Sequence, residues 1–206
     1  MKNNEIALVV TCETKLDFKV FQNCYFIGVE RGCLDLISKE ITIDLAISDF
    51  DHVDESELKL IQEKALNTQI LNPEKDFIDG EIAIKKARDL GFNKIIYVSN
   101  PNLRHDMNLA NLYFAFKYNV EILSDKSLIE ILNPGENLIS FENLQDYAYI
   151  SFVSDTSTDL SIKGLKYEAK NLKLEPYSLQ AISNCFIPYQ DGLVINNHKI
   201  AMVLTK

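Results

Sequence analysis

Apolar residues along this chain fall into short runs that alternate with longer amphipathic stretches over the first 120 positions. Ile6-Ala7-Leu8-Val9-Val10 is continuous and rich in β-branched residues, the pattern of a strand buried on both faces. Cys24 to Val29, Leu45 to Ile47, Thr68 to Leu71, Lys94 to Val98 and Val120 to Leu123 read as further strands. Between them lie helical patterns. One runs through Leu34, Leu36 and Ile37. A second spans Glu55 to Leu66, with Leu58, Ile61 and Leu66 inward and Asp54 or Ser56 as its cap. A third places Ile82, Ala83, Ala87 and Leu90 on one face and stops at Gly91, and a fourth places Leu109, Leu112, Tyr113 and Phe116 on one face. Strand and helix alternating in this way predict βαβ units, a mostly parallel sheet with flanking helices and right-handed crossovers.

The pattern changes near Asp125. Leu128 to Leu132, Leu138 to Phe141, Tyr147 to Val153, Leu160 to Ile162, Leu193 to Ile195 and Lys199 to Leu204 are short runs separated by turn residues such as Asn133-Pro134-Gly135-Glu136. They predict an antiparallel β-sandwich, with Asn196-Asn197 turning the last hairpin. The expected organisation is an α/β domain over residues 1–124 and a β-sandwich domain over 125–206.

Composition sets limits on this picture. With 206 residues, 47% hydrophobic and 25% charged, the chain can bury a sizeable core. Its net charge of −9 argues against non-specific nucleic-acid binding, which needs a basic face. Cys12, Cys24, Cys33 and Cys185 include no CxxC pair and mostly adjoin apolar segments, as expected of thiols in a reducing cytoplasm. The N-terminus leads into only five apolar residues, so no signal peptide or membrane anchor is expected.

Candidate chemistry collects at strand ends. The run Leu45-Ala46-Ile47 breaks into Ser48-Asp49-Phe50-Asp51-His52, with two carboxylates at i,i+2. Lys75, Asp76 and Asp79 stand where a helical pattern begins. Each turn alone reads as solvated or capping. Together, at matching strand ends, they would bring up to four carboxylates to one place, and that crowding calls for a cation. Mg²⁺ suits it, because it takes one or two carboxylates, keeps waters and completes its shell with phosphate oxygens. Arg104 falls on the same expected edge, the side where open α/β sheets bind ligands. His52 and His105 lie beside these elements without the spacing of a zinc site, and His198 is expected to be exposed.

The order of these motifs resembles the thiamine pyrophosphokinase family. Ile27-Gly28-Val29-Glu30-Arg31-Gly32-Cys33 is similar to its strand-to-helix element, where Asp is usual in place of Glu30. Asp49-Phe50-Asp51 resembles its Asp-Phe-Asp signature. Lys75-Asp76-Phe77-Ile78-Asp79 resembles Lys-Asp-x-Thr-Asp, with Ile78 in the Thr place. Arg104-His105-Asp106-Met107-Asn108-Leu109-Ala110-Asn111 resembles Arg-x-Asp-His-x-x-x-Asn, with Met107 in the His place. In the second half, Gly164-Leu165-Lys166-Tyr167, Ser178 and Ile182-Ser183-Asn184 resemble a Gly-Leu-x-Tyr strand and a Ser-Asn thiamine-binding turn. The family's Gly-rich loop is replaced by Ser99-Asn100-Pro101-Asn102-Leu103, and Cys185 stands where an acid is usual.

The resemblance implies pyrophosphoryl transfer from ATP to the thiamine hydroxyl, giving thiamine diphosphate and AMP. It implies Asp49, Asp51, Asp76 and Asp79 as Mg²⁺ ligands, and Asp49, Asp76, Asp79, Arg104 and Asp106 as the catalytic set. It implies Arg31, Lys75, Arg104, Asn111, Ser183 and Asn184 as ligand-binding residues, and a cytoplasmic homodimer in which the β domain of one subunit completes the site of another. Asp106 reads equally well as a helix cap, and Ser183-Asn184 as a β-turn. A non-catalytic thiamine- or nucleotide-binding homologue, or a phosphoester hydrolase using the same acids, are the competing readings.

Overall fold

The structure is a computed structural model and describes residues 5–21 and 23–206. Its contacts divide the chain into two compact units, one running up to Asn108 and including Ile122–Asp125, the other comprising Leu109–Glu121 and Lys126–Lys206.

In the first unit the strands are β1 (Ile6–Val10), β2 (Tyr25–Gly28), β3 (Leu45–Ser48), β4 (Thr68–Ile70), β5 (Lys94–Val98) and β6 (Glu121–Leu123), and they stand in the order β4-β3-β2-β1-β5-β6. β1 pairs in parallel with both β2 and β5, and β2–β3 and β3–β4 are also parallel. The chain therefore builds outward from β1 to β4 and then returns to β1's other side. That reversal between β1 and β5 is a topological switch point, where open parallel sheets leave a crevice beyond the strand ends. Helices α1 (Arg31–Ser38), α2 (Glu55–Lys64), α3 (Asp79–Asp89) and α4 (His105–Tyr118) follow β2, β3, β4 and β5. Ala7 to Val10 are fully buried, as a continuous apolar run suggests.

Helix ends account for the departures from the expected faces. Asp54 caps α2 in a reciprocal box with Glu57, and Ser56 only donates to Asp54. α2 ends at Lys64, so Leu66, expected inward, lies beyond its last turn and is exposed. Leu90 is likewise the C-cap residue of α3 and exposed, while Ile84 is buried in its place. In α4 the expected inward face is not the buried one. Leu109 and Tyr113 are each 54% exposed, and Phe114 and Ala115 are buried. Apolar residues surround this helix, so periodicity alone cannot choose its face.

The second unit packs two antiparallel sheets. One contains β7 (Ser127–Leu132), β13 (Ile200–Thr205) and β9 (Tyr149–Val153), with β13 central. The other has the order β11-β10-β12-β8, formed by Ala169–Leu174, Thr158–Lys163, Gly192–Asn196 and Gly135–Ile139. Leu132, Ile150, Phe152, Met202 and Leu204 from the first sheet meet Ile139, Leu160, Ile162, Leu174 and Val194 from the second in one core, so the expected sandwich is present. A single-turn helix, α5 (Phe141–Leu144), links β8 to β9. Two local expectations are corrected. Asn196-Asn197 does not close a hairpin, because β12 and β13 belong to different sheets. The asparagines instead pin the crossing, with Asn196 Nδ2 donating to His198 O (2.7 Å) and Asn197 Oδ1 accepting from Thr158 Oγ1 (2.7 Å). Gly164 to Tyr167 is a turn rather than a strand, since Gly164 has φ +73° and only Leu165 makes a bridge, to Phe186.

Candidate functional site

Chain geometry at the C-terminal ends of β1, β2 and β3 is set by close backbone approach. Val29 N–H donates to the Val10 carbonyl (2.9 Å) as the chain leaves β2. Gly32 then passes over the end of β1 so closely that a Cβ there would overlap the Val10 carbonyl. Between them Glu30 holds φ +49°, a conformation unusual for a residue with a side chain.

That backbone turns the Glu30 carboxylate onto the acidic loop after β3. One of its oxygens accepts from the Ser48 hydroxyl and from Phe50 N–H (2.8 Å), and the other from His52 N–H (3.2 Å). Glu30 is thus the inner brace of the Ser48–His52 turn, in which Phe50 is buried and has φ +59°. Burial pushes the Glu30 carboxyl above its ordinary value, against the three donors that lower it.

Asp49 and Asp79 meet around Lys75. The lysine ammonium hydrogen-bonds Asp49 Oδ2 and lies 3.0 Å from Asp79 Oδ1, with side-chain exposures of 16% for Lys75, 8% for Asp49 and 17% for Asp79. Burial pushes Asp49 up, yet the hydrogen bond and charge of Lys75 outweigh it and leave Asp49 below the usual carboxylate range. Lys75 is raised in turn: burial opposes its charge, and the two carboxylates more than restore it. Beneath α3, Gly80 packs on the buried Tyr97 ring so tightly that a Cβ would overlap its hydroxyl, which fixes the height of Asp79 above the sheet.

Two acid groups arise from this arrangement. Ligand atoms of Glu30, Asp49 and Asp79 lie within 4.8 Å of one another, and so do those of Glu30, Asp51 and His52. Asp49 Oδ1 is buried and has no hydrogen-bond partner, and the buried Asp79 Oδ1 meets only the Lys75 ammonium. Buried carboxylate oxygens with spare acceptor capacity are what an added cation would satisfy. Hard oxygen donors of this kind suit Mg²⁺.

The remaining sequence-predicted residues fall as follows. Asp51 is exposed beside His52, and Asp76 is exposed and belongs to neither acid group. Arg31 is engaged by Glu13 (3.0 Å) and Glu57 (3.4 Å). Arg104 and Asp106 form an exposed pair (2.6 Å). The hydrogen bond from Arg104 holds the Asp106 carboxyl below its ordinary value. Asn111 lies partly buried in α4. Glu30 is the residue that the spacing of carboxylates missed. Its signal was the Glu-Arg-Gly sequence directly after a strand, where only a close turn admits the glycine.

The loop before Arg104 is closed on itself. Ser99 N–H donates to Leu123 O (3.0 Å), Asn100 N–H to Cys12 Sγ (3.2 Å), Asn102 N–H to Asn108 Oδ1 (3.1 Å) and Arg104 N–H to Asn102 Oδ1 (2.7 Å). Pro101 has no N–H to offer. Asn108 also donates to Asn102 O (2.9 Å), so one side chain clasps both backbone groups of Asn102. At the start of α3, Ile78 stands at the N-cap and contributes no side-chain cap.

In the second unit, Asn184 is buried and its amide is used internally. Oδ1 accepts from Tyr167 N–H (3.0 Å) and Cys185 N–H (2.9 Å), and Nδ2 donates to Tyr167 O (2.8 Å). Ser183, next to it, is exposed with φ +59°, and its N–H donates to Ser151 Oγ (3.0 Å). Asn184 therefore sets the path of two turns, while Ser183 and the half-exposed Tyr167 present side chains to solvent. Replacing Asn184 by Ala is expected to lower stability by about 2 kcal/mol, since it strands buried backbone groups of Tyr167. Chemical denaturation of the variant measures this. A cavity of about 450 Å³ in the same unit is lined by Leu112, Phe116, Val153, Tyr177, Ser178 and Leu179. The α4 face that periodicity assigned to the core faces this cavity.

An α/β unit with carboxylates and a lysine gathered beyond its strand ends, continued by an antiparallel sandwich, is an arrangement suited to binding a cation-bound phosphate ligand. The chain belongs to the thiamin pyrophosphokinase family: residues 19–124 match the family's catalytic domain and residues 136–200 its vitamin B1 binding domain. It is 29% identical over 170 residues to the thiamine pyrophosphokinase of Bacillus subtilis (strain 168), covering 79% of this chain and 78% of that protein. The fold is shared with a crystal structure of a thiamin pyrophosphokinase family protein from Enterococcus faecalis (TM-score 0.82, 24% identity, 98% of each chain). It is also shared with the Bacillus subtilis thiamine pyrophosphokinase (TM-score 0.79, 22% identity, 98% and 99% of the two chains).

Proposed function

We propose that this protein transfers the pyrophosphoryl group of Mg²⁺-bound ATP to the hydroxyl of thiamine. The observation that carries this reading is the bracketing of Lys75 by Asp49 and Asp79, with the buried Asp49 Oδ1 left unsatisfied. In the reaction the thiamine hydroxyl oxygen bonds to the β-phosphorus of ATP, the bond from that phosphorus to the α,β-bridging oxygen breaks, AMP leaves with that oxygen and its electron pair, and the hydroxyl proton passes to solvent. A divalent cation, when bound, neutralises charge on the phosphate oxygens.

Positioning and charge neutralisation dominate such transfers. Asp49 and Asp79, with Glu30 behind them, would hold the cation, and Asp51 and Asp76 would contribute, if at all, through water. Lys75 and Arg104 would contact phosphate oxygens, Arg104 by its planar fork. Asp106 orients Arg104. Ser183 and Tyr167 are the thiamine-facing candidates of the second unit, with Asn184 holding the turns that carry them. Asn111 and Arg31 are assigned as further nucleotide contacts on the family pattern alone. The protein is proposed to act as a homodimer in the cytoplasm, and none of its four cysteines is in a disulfide. Among the described residues no helix is long and apolar enough to cross a membrane.

Product analysis tests the reaction. With ATP, Mg²⁺ and thiamine, AMP and thiamine diphosphate are expected. ADP, or phosphate released at a rate indifferent to thiamine, would reject pyrophosphoryl transfer.

The Ser99–Arg104 loop favours one alternative, a homologue that binds ligand without turnover, because the amides of Ser99, Asn100, Asn102 and Arg104 are already hydrogen-bonded within the protein. Under the catalytic reading that loop acts by fixing Arg104, through Asn102 and Asn108. Asn108→Ala is then expected to raise the KM for ATP about fivefold, the worth of one hydrogen bond, with kcat changed less. Steady-state kinetics decide between them. Calorimetric binding of ATP or thiamine by the wild-type protein without AMP release would favour the binding homologue.

A further inference from the structure

The inference concerns Lys75 and rests on the cation-assisted reading above. Its ammonium group hydrogen-bonds Asp49 and lies 3.0 Å from Asp79 Oδ1, and these are two of the three acids whose ligand atoms fall within 4.8 Å of one another. The lysine and a divalent cation therefore draw on the same carboxylates. Three carboxylates this close repel one another, and Lys75 is the one cationic side chain recorded in contact with them among the described residues. The lysine does not exhaust them, since Asp49 meets it through Oδ2 and its buried Oδ1 stays unsatisfied.

The partners differ in how they are held. Asp79 opens α3 over the Gly80–Tyr97 contact, and Asp49 sits in a turn braced by Glu30. Lys75 lies between β4 and α3, in a segment without regular structure, on a four-carbon stem. The acids are held by their elements, whereas the ammonium is carried on a flexible stem that can reach a new partner when one is offered.

We propose that Lys75 is a built-in counter-cation, holding Asp49 and Asp79 together before the metal is loaded and then passing to the substrate phosphate. A +1 group a few Å from a bound +2 ion is repelled by it, and Lys75 thus weakens binding of the cation alone. The penalty is relieved once phosphate oxygens accept the ammonium. Cation and nucleotide are coupled through this one side chain, each raising the affinity of the other.

The test uses Mn²⁺ alone as the probe, with the full-length protein, and reads binding by electron paramagnetic resonance or calorimetry. Lys75→Met and Lys75→Gln are each expected to bind Mn²⁺ about tenfold more tightly than the wild type, the order expected for removal of one nearby like charge. Lys75→Arg, which keeps the charge, is expected to stay within about twofold of the wild type. Both neutral variants should also show a larger rise in melting temperature on adding Mn²⁺. Unchanged or weaker Mn²⁺ binding in both neutral variants, with circular dichroism matching the wild type, would overturn the proposal. Equal tightening in Lys75→Arg would overturn it too, by tracing the effect to a loosened loop. Failure of the wild type to make AMP would remove the proposed reaction and leave the Mn²⁺ comparison intact, so the two ideas fail separately.

Discussion

Thiamine-dependent AMP formation is expected to fall by about a thousandfold or more when Asp49 is replaced by Asn, with the fold retained. The substitution is nearly isosteric, so packing around Phe50 and Ser48 survives, but the charge that faces both Lys75 and the cation position is lost. Removing one preorganised electrostatic group from a buried site commonly lowers turnover by ~10²–10³, and here the same group also organises its neighbours. Asp79→Asn should behave similarly, because it occupies the other side of Lys75. Asp76→Asn should do much less, since Asp76 is exposed and stands outside both acid groups. Rates of AMP release for the three variants, with circular dichroism to check folding, measure the contrast. An Asp49→Asn protein with near wild-type turnover would reject the assignment of this cluster.

Gly32→Ala is expected to be the most damaging single methyl group in the first unit. Its Cβ would overlap the carbonyl oxygen and carbon of Val10, which are backbone atoms of a fully buried central strand and cannot turn aside. Relief requires α1 to shift away from the sheet, at about 3 kcal/mol. Thermal denaturation should show a melting point lower by roughly 10 °C. Because α1 begins at Arg31, any shift also displaces Glu30, so the surviving folded protein should have weakened cation binding as well. Gly91→Ala is a useful contrast. It carries φ +92° but meets nothing within 4 Å, so its cost is conformational strain without a clash.

The two halves were legible in the sequence for different reasons. β1 is a continuous five-residue apolar run rich in β-branched side chains, and β3 announces the site by running directly into Asp49 and Asp51. Helices were legible where polar residues outline an apolar stripe, as in α2, and illegible in α4, where Leu109, Tyr113, Phe114, Ala115 and Phe116 encircle the axis. The sandwich was visible in its short runs, but the crossing at Asn196-Asn197 was not, since the sheet a strand joins depends on contacts distant in sequence. In the site, the meeting of Asp49 with Asp79 followed from strand order. Glu30 did not stand out, because its role arises from a left-handed backbone and from hydrogen bonds to Ser48, Phe50 and His52. Asn184 was expected to touch ligand, and the role that the sequence did not reveal is the bracing of the Tyr167 backbone by its amide.

The position of bound nucleotide tests the central claim most directly. A crystal structure with Mg²⁺, thiamine and a non-hydrolysable ATP analogue is predicted to show the cation on Asp49 and Asp79, and phosphate oxygens against Lys75 and Arg104. A nucleotide bound away from the Glu30–Asp49–Asp79 cluster, with Lys75 still locked between its two acids, would contradict it.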